Sequence, residues 1–191
     1  MKAGARALGF AESFRDDRST LAGVVVRASR VVDGFSFERC TVGGTDATDA
    51  ILSLYDRLGR EDVRYLFVAG IAPAWFNVVD LRRLADAVDR PVISVTFEES
   101  AGLEPALREA FDGEALATRL ETYRAQPPRR ELRVHGETVF VRSFGLPDDE
   151  ADDVVRGFTP EGGRPEPVRV ARLAARGLDA FLRETEGPPG L

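Results

Sequence analysis

Arg169, Arg172 and Arg176 stand three and four residues apart, the spacing that gathers side chains on one face of a helix. Guanidinium groups so placed can clamp phosphate oxygens through paired hydrogen bonds, or can form a solvated face balanced by nearby acids. The stretch RYLFVAGIAPAWFNVVD, residues 64–80, runs as an apolar strand into Ala69-Gly70 and then delivers Trp75, Phe76 and Asn77. Strand ends are where an open α/β sheet holds its chemistry, yet this one carries no side chain able to coordinate a metal or move a proton. Trp75 and Phe76 can stack an unpaired base, a contact of roughly 1–3 kcal/mol, or can pack over the sheet edge. Asn77 can read a base edge or cap the helix that follows.

Other chemistries are thinly supplied. His135 is the one histidine, and its place in a turn makes it a surface residue. One histidine leaves no His-based metal site and no Ser–His–Asp triad. Cys40 is the one cysteine, which excludes an internal disulfide and a cysteine zinc site and fits a cytoplasmic address. Gly43-Gly44-Thr45 precedes a helix but lacks the lysine and spacing of a phosphate loop, so it reads as a turn and cap. The net charge is −6, and Lys2 is the only lysine among the basic residues. Arginine-for-lysine usage with matched acids suits a GC-rich genome or the salt-rich cytoplasm of a halophile, and excludes a bulk polyanion binder. Any nucleic-acid contact must come from a local arginine cluster and weakens with salt. No apolar run approaches the roughly 20 residues of a membrane span, and no signal-peptide core opens the chain.

The elements that must position these residues follow from periodicity. Residues 6–11, 21–28 and 31–40 read as three strands in antiparallel sequence, with FRDDRST (14–20) as a loop. Phe35, Phe37 and Arg39 share one face of the third. Thr45 or Asp46 caps a helix whose inner stripe is Ala47, Ile51, Leu54 and Leu58 and which Gly59 stops. Strand 64–70, a helix starting near Asn77 and strand 91–97 make two βα alternations, which predicts parallel pairing. A helical region over 102–124 breaks near Asp112-Gly113. A hairpin turns at His135-Gly136, and an acidic helix spans 147–157. A last helix opens at Pro167 and runs to Leu182. One domain over residues 1–185 is expected, with 186–191 as a flexible tail. Three antiparallel strands followed by parallel strands, with flanking helices, is the order of a ribonuclease H-like mixed α/β sheet.

Three segments then carry a resemblance. VVDGFSFERCTVGGTDATDAI, GIAPAWFNVVDLRRL before PVISVTF, and GGRPEPVRVARLAA, in this order, resemble the archaeal endonuclease dU family, a distant relative of endonuclease V. The likeness spans residues 6–178. It implies an endonuclease V-like fold and a place among proteins that process nucleic acid, DNA before RNA, beside deaminated bases. It also implies Mg²⁺ held by strand-borne carboxylates, polarising the phosphate and activating water.

The departures from the family pattern matter as much. Where the family's first strand ends Gly-Ile-Asp-Asp, this chain reads Gly9-Phe10-Ala11-Glu12. Asp-Gly-Ile becomes Ala69-Gly70-Ile71, and Arg-Val-Ala-His becomes Arg169-Val170-Ala171-Arg172. Neither Ala11 nor Ala69 can ligate, and Glu12 points to the opposite side if its strand continues. Asp46, in the GTDAT motif, Glu12 and Asp80, retained in FNVVD, are the remaining catalytic candidates, with Asp46 and Glu12 as the metal candidates. The expectation is weak or lost cleavage and a cation not held tightly. Trp75, Asn77, Arg169, Arg172 and Arg176 are the candidate nucleic-acid contacts. The alternative is a binding module for nucleic acid or protein on the same fold, without catalysis.

Overall fold

A computed structural model describes residues 1–186; of the tail expected at 186–191, Glu186 belongs to the last helix and the rest lies outside the described residues. The chain opens with β1 (Arg6–Arg15), β2 (Arg18–Arg27) and β3 (Val32–Thr41), paired antiparallel in sequence order. β1 continues through the segment expected to be a loop. Glu12 pairs with Leu21, Ser13 with Thr20 and Phe14 with Ser19, and the chain reverses only at Asp16-Asp17. Polar letters hid this strand because the hairpin projects past its other neighbour. β4 (Val63–Val68) pairs with β1 only along Arg6–Phe10, so Ala11 onward is not covered on that side.

After β3 come α1 (Ala47–Leu58), β4, the four-residue turn α2 (Pro73–Phe76), α3 (Leu81–Val88) and β5 (Val92–Thr96). β1, β4 and β5 are mutually parallel neighbours, as two βα alternations require. Gly59 takes φ 57° at the end of α1, the left-handed turn that stops a helix. α4 (Glu104–Ala110) and α5 (Gly113–Arg124) are separated at the expected break. The hairpin of β6 (Arg130–Val134) and β7 (Glu137–Phe144) then joins the same sheet, β7 lying antiparallel to β5. The order is β3-β2-β1-β4-β5-β7-β6, followed by α6 (Asp148–Phe158) and α7 (Glu166–Glu186).

Alternation along the strands divides the core. Leu8, Phe10, Leu66 and Val68 face α1 and α3, whereas Ala7, Phe67, Ile93 and Val95 pack with α6 and Val168 of α7. α7 crosses the same face over β1 and β2, with Ala171 fully buried against Ala11, Val24 and Val26. Gly9 makes that approach possible. A Cβ there would lie 2.2 Å from the carbonyl carbon and oxygen of Pro167, far inside van der Waals contact.

Candidate functional site

The ends of β1 and β4 lie side by side. The Ala69 amide donates to the Phe10 carbonyl (3.0 Å), which continues the parallel register of Phe10 with Val68. Ala11 and Ala69 therefore occupy neighbouring strand ends, and both turn toward α7. Ala11 is 5% exposed among Val24, Val26 and Ala171, with Ala69, Val170 and Ala174 packed against them. The two positions where the family pattern has carboxylates are thus neighbours in an apolar patch. The side chains of Ala11 and Ala69 offer no oxygen, and Arg172, which lines the cleft with Ala69, is a permanent cation, so these residues do not fit a divalent ion.

Above this patch, at the ends of β4 and β5, a cleft of about 710 Å³ opens. Ala69–Ala72 form part of its floor, and six arginines line it: Arg129, Arg142, Arg164, Arg169, Arg172 and Arg176. Glu98 is the single acid among its lining residues. The arginines differ in freedom. Arg129 lies over Phe140 (3.9 Å) and donates to Ser100 O and Thr96 Oγ1 (3.1 Å each) and to Glu98 O. Arg142 donates to Pro127 O beside the Tyr123 ring, and burial pulls its pKa down. Arg164 lies over Phe97 at 4.1 Å. Arg169 grips Glu166 at 2.7 and 2.6 Å, which raises the pKa of the arginine and lowers that of the acid.

Arg172 and Arg176 are exposed, and neither has a hydrogen bond or ion pair among the described residues. Like charges four residues apart on a helix cost a few tenths of a kcal/mol, an arrangement an anion would relieve. Reading the sequence locates the α7 stripe but misses Arg129, Arg142 and Arg164. The signals for these were the alternation of Phe140 and Arg142 on β7 and the arginine of GGRPEP just before α7.

The acidic candidates do not converge on the cleft. Glu12, inside a continuous strand, points to the opposite face from Ala11, where it accepts from the buried Ser19 hydroxyl (2.8 Å). Asp46 lies toward the same side of the sheet, and both carboxylates raise the Cys40 thiol, whose pKa is pushed up to about 12, chiefly by burial. Asp46 accepts from the Thr41 amide with both oxygens (3.1 Å), from Thr41 Oγ1 (2.8 Å) and from Asn77 Nδ2 (2.6 Å). Burial alone would raise its pKa; these hydrogen bonds outweigh it and leave the pKa lowered. Asp80 caps α3, its Oδ1 accepting from the Arg83 amide at 2.9 Å. Among the described residues no group of three His, Cys, Asp or Glu side chains is placed to hold a metal ion.

Asn77 is 0% exposed. Its Oδ1 accepts from the Ala47 amide (2.9 Å), and its Nδ2 donates to Thr41 O (2.8 Å) as well as to Asp46. It thus caps the start of α1, which packs on the same face of the sheet as α3, while Asp80 caps the helix that follows it in sequence. His135 is exposed at φ 49° in its turn, its Nε2 2.8 Å from Thr159 O.

Trp75 stands at the far end of the same loop. Ala74, Trp75 and Phe76 have φ of 47°, 54° and 63°, three successive non-glycine residues in the left-handed region. Each costs roughly 1–2 kcal/mol and persists only where the surroundings enforce it. Here they do. The Gly43 amide donates to Ala74 O (2.7 Å), and the guanidinium of Arg119 donates to Phe76 O (3.2 Å) and Gly44 O (2.9 Å) and lies 3.9 Å over Phe111. The Trp75 ring leans on Phe111 (5.1 Å) and Phe76 (5.7 Å).

A seven-stranded mixed sheet in this order, with a closing helix over its first strand, places the chain in the endonuclease V class of ribonuclease H-like folds. Endonuclease V of Ciona intestinalis, solved with a DNA containing an inosine, superposes with a TM-score of 0.62 at 11% identity, covering 93% of this chain and 87% of that one. Within that class the chain belongs to the family Endonuclease dU, which it matches over residues 3–179. A UPF0215 protein of Pyrobaculum calidifontis is 33% identical over 179 residues, 92% of this chain and 97% of the relative. A protein of unknown function from Archaeoglobus fulgidus, solved by crystallography, matches with a TM-score of 0.82 and 28% identity over 91% of this chain and 98% of its own.

Proposed function

We propose that this protein is an endonuclease V-like handler of deaminated DNA in the cytoplasm, which grips a strand in the arginine cleft and cleaves it feebly or not at all. The observation that carries this reading is the pairing of Ala11 with Ala69 beneath six arginines. Cleavage of a phosphodiester by carboxylate-held Mg²⁺ needs oxygens at the strand ends, and methyl groups stand there. Arg172 and Arg176 supply fixed positive charge instead, and guanidinium forks match phosphate geometry. The net charge of −6 leaves the rest of the surface unfavourable to a polyanion, which concentrates binding at the cleft. Family membership makes Mg²⁺ or Mn²⁺ the cofactor to test, and the acids available to it are Glu12, Asp46 and Asp80 on other parts of the fold.

The test incubates the protein with inosine- and uracil-containing strands, with and without Mg²⁺ or Mn²⁺, and follows both complex formation and nicking. A measurable complex that Arg172→Ala loosens, with the strand intact, supports the proposal. Metal-dependent nicking that Asp46→Ala abolishes, in a protein shown to remain folded, overturns the gripping role in favour of catalysis.

A further inference from the structure

We infer that Trp75 is a stacking platform for an unpaired base of the strand held in the arginine cleft, so that the ligand of this site is single-stranded nucleic acid. The inference rests on the cleft reading above and extends it to the form of the substrate. Trp75 is 50% exposed although it is the largest apolar side chain present. Its ring is nonetheless held in place. Phe111 and Phe76 flank it, and Gly43 beneath it has no room for a side chain, since a Cβ there would fall 2.7 Å from Trp75 Cε3. A tryptophan serving only to fill the core would be covered. This one is braced from below and left open above, and a strained left-handed turn keeps it so.

Its position says what would cover it. Ala72 lines the cleft, and Trp75 follows three residues later, so the two Cα atoms are at most about 11 Å apart at 3.8 Å per step. A strand that meets Arg172 and Arg176 and crosses the cleft to its Ala72 edge has its next bases within reach of the indole. Bases stack on aromatic faces whatever their identity, provided they are not already paired in a duplex. The cleft contributes rings of its own, Phe97 under Arg164 and Phe140 under Arg129, the mix of cation and π-face that suits a single strand. A duplex would bring a second phosphate backbone against an acidic surface.

Trp75 is the chain's one tryptophan, so intrinsic fluorescence reports this ring alone. A short inosine-containing single strand is titrated into the full-length protein while tryptophan emission and the anisotropy of the labelled strand are followed together. Quenching that saturates with the anisotropy change, and weaker response to the same sequence as a duplex, are expected. Trp75→Ala should weaken single-strand binding between about 5-fold and 150-fold, and Trp75→Phe should retain most of the affinity. Binding seen by anisotropy with emission unchanged, or a duplex bound as tightly as the strand, overturns the platform and leaves the cleft reading standing. Absence of any complex overturns both. Where Trp75→Ala fails to fold, the emission of the unaltered protein decides the matter.

Discussion

Asn77 shows how much one side chain can settle. Its amide satisfies the first free amide of α1, the last carbonyl of β3 and the carboxylate of Asp46, and no water reaches it. Asn77→Ala leaves the buried Ala47 amide without its partner, whereas Asp46 keeps its Thr41 donors and Thr41 O keeps the Gly44 amide. The loss should cost about 1–3 kcal/mol, read as a lower urea midpoint with an unchanged slope. The same mutation should leave tryptophan quenching by a bound strand in place at temperatures where the protein is folded. Cys40 offers a second check. With the thiol pushed up to about 12 by burial and by Asp46 and Glu12, only about one molecule in ten thousand carries a thiolate at pH 8. Thiol reagents should therefore label Cys40 only as fast as the protein unfolds, and rapid native-state labelling would contradict that environment. Of these features the sequence displayed Asn77 as a cap but not which helix it caps. The helix it serves precedes it by thirty residues and meets it only through packing of α1 beside the β4–α3 loop.

At the scale of elements, α7 is both wall and grip. Its inner face of Val168, Ala171 and Ala175 is buried, while Arg169, Arg172 and Arg176 turn to the cleft. Gly9 sets how closely the helix start approaches β1. Gly9→Ala should displace Pro167, cost about 1–3 kcal/mol as an overpacked contact, and weaken strand binding because the arginines move with the helix. Denaturation and anisotropy on the same preparation check both parts; a fully stable variant with unaltered affinity would show that α7 has room to spare. The arginine stripe was legible because helical spacing is local. Its counterparts on Arg129 and Arg142 were not, since they reach the cleft only when β7 pairs with β5, across nearly fifty residues of chain. The tip of the β1–β2 hairpin was hidden for a related reason: β1 runs on past its neighbour β4 and there loses the apolar alternation by which strands are recognised, although β2 stays paired with β3.

For the molecule as a whole, charge is the organising quantity. Asp33 accepts from Arg27 and Arg6 at 2.6 Å, and these hydrogen bonds lower its pKa to about 2; Glu104, held by Arg124 and then Arg108, is likewise near 2. A carboxylate whose pKa is depressed in the folded state contributes fully above its ordinary pKa and loses that contribution as pH falls toward the depressed value. Stability should therefore decline between about pH 4.5 and pH 2, and Asp33→Asn should flatten that decline in urea titrations across the range. Salt acts in the same direction on both the surface and the cleft: it screens the surface ion pairs and lowers the affinity of the cleft for a polyanion.

That loss supplies the most direct measurement of all. The logarithm of the association constant for a single strand, plotted against the logarithm of salt concentration, has a slope of about −0.7 for each phosphate neutralised. If Arg172 and Arg176 hold one phosphate each, the double variant Arg172→Ala/Arg176→Ala should bind more weakly and give a slope shallower by about 1.4. Parallel lines of equal height for the double variant and the unaltered protein would show that the strand, if bound, is bound elsewhere.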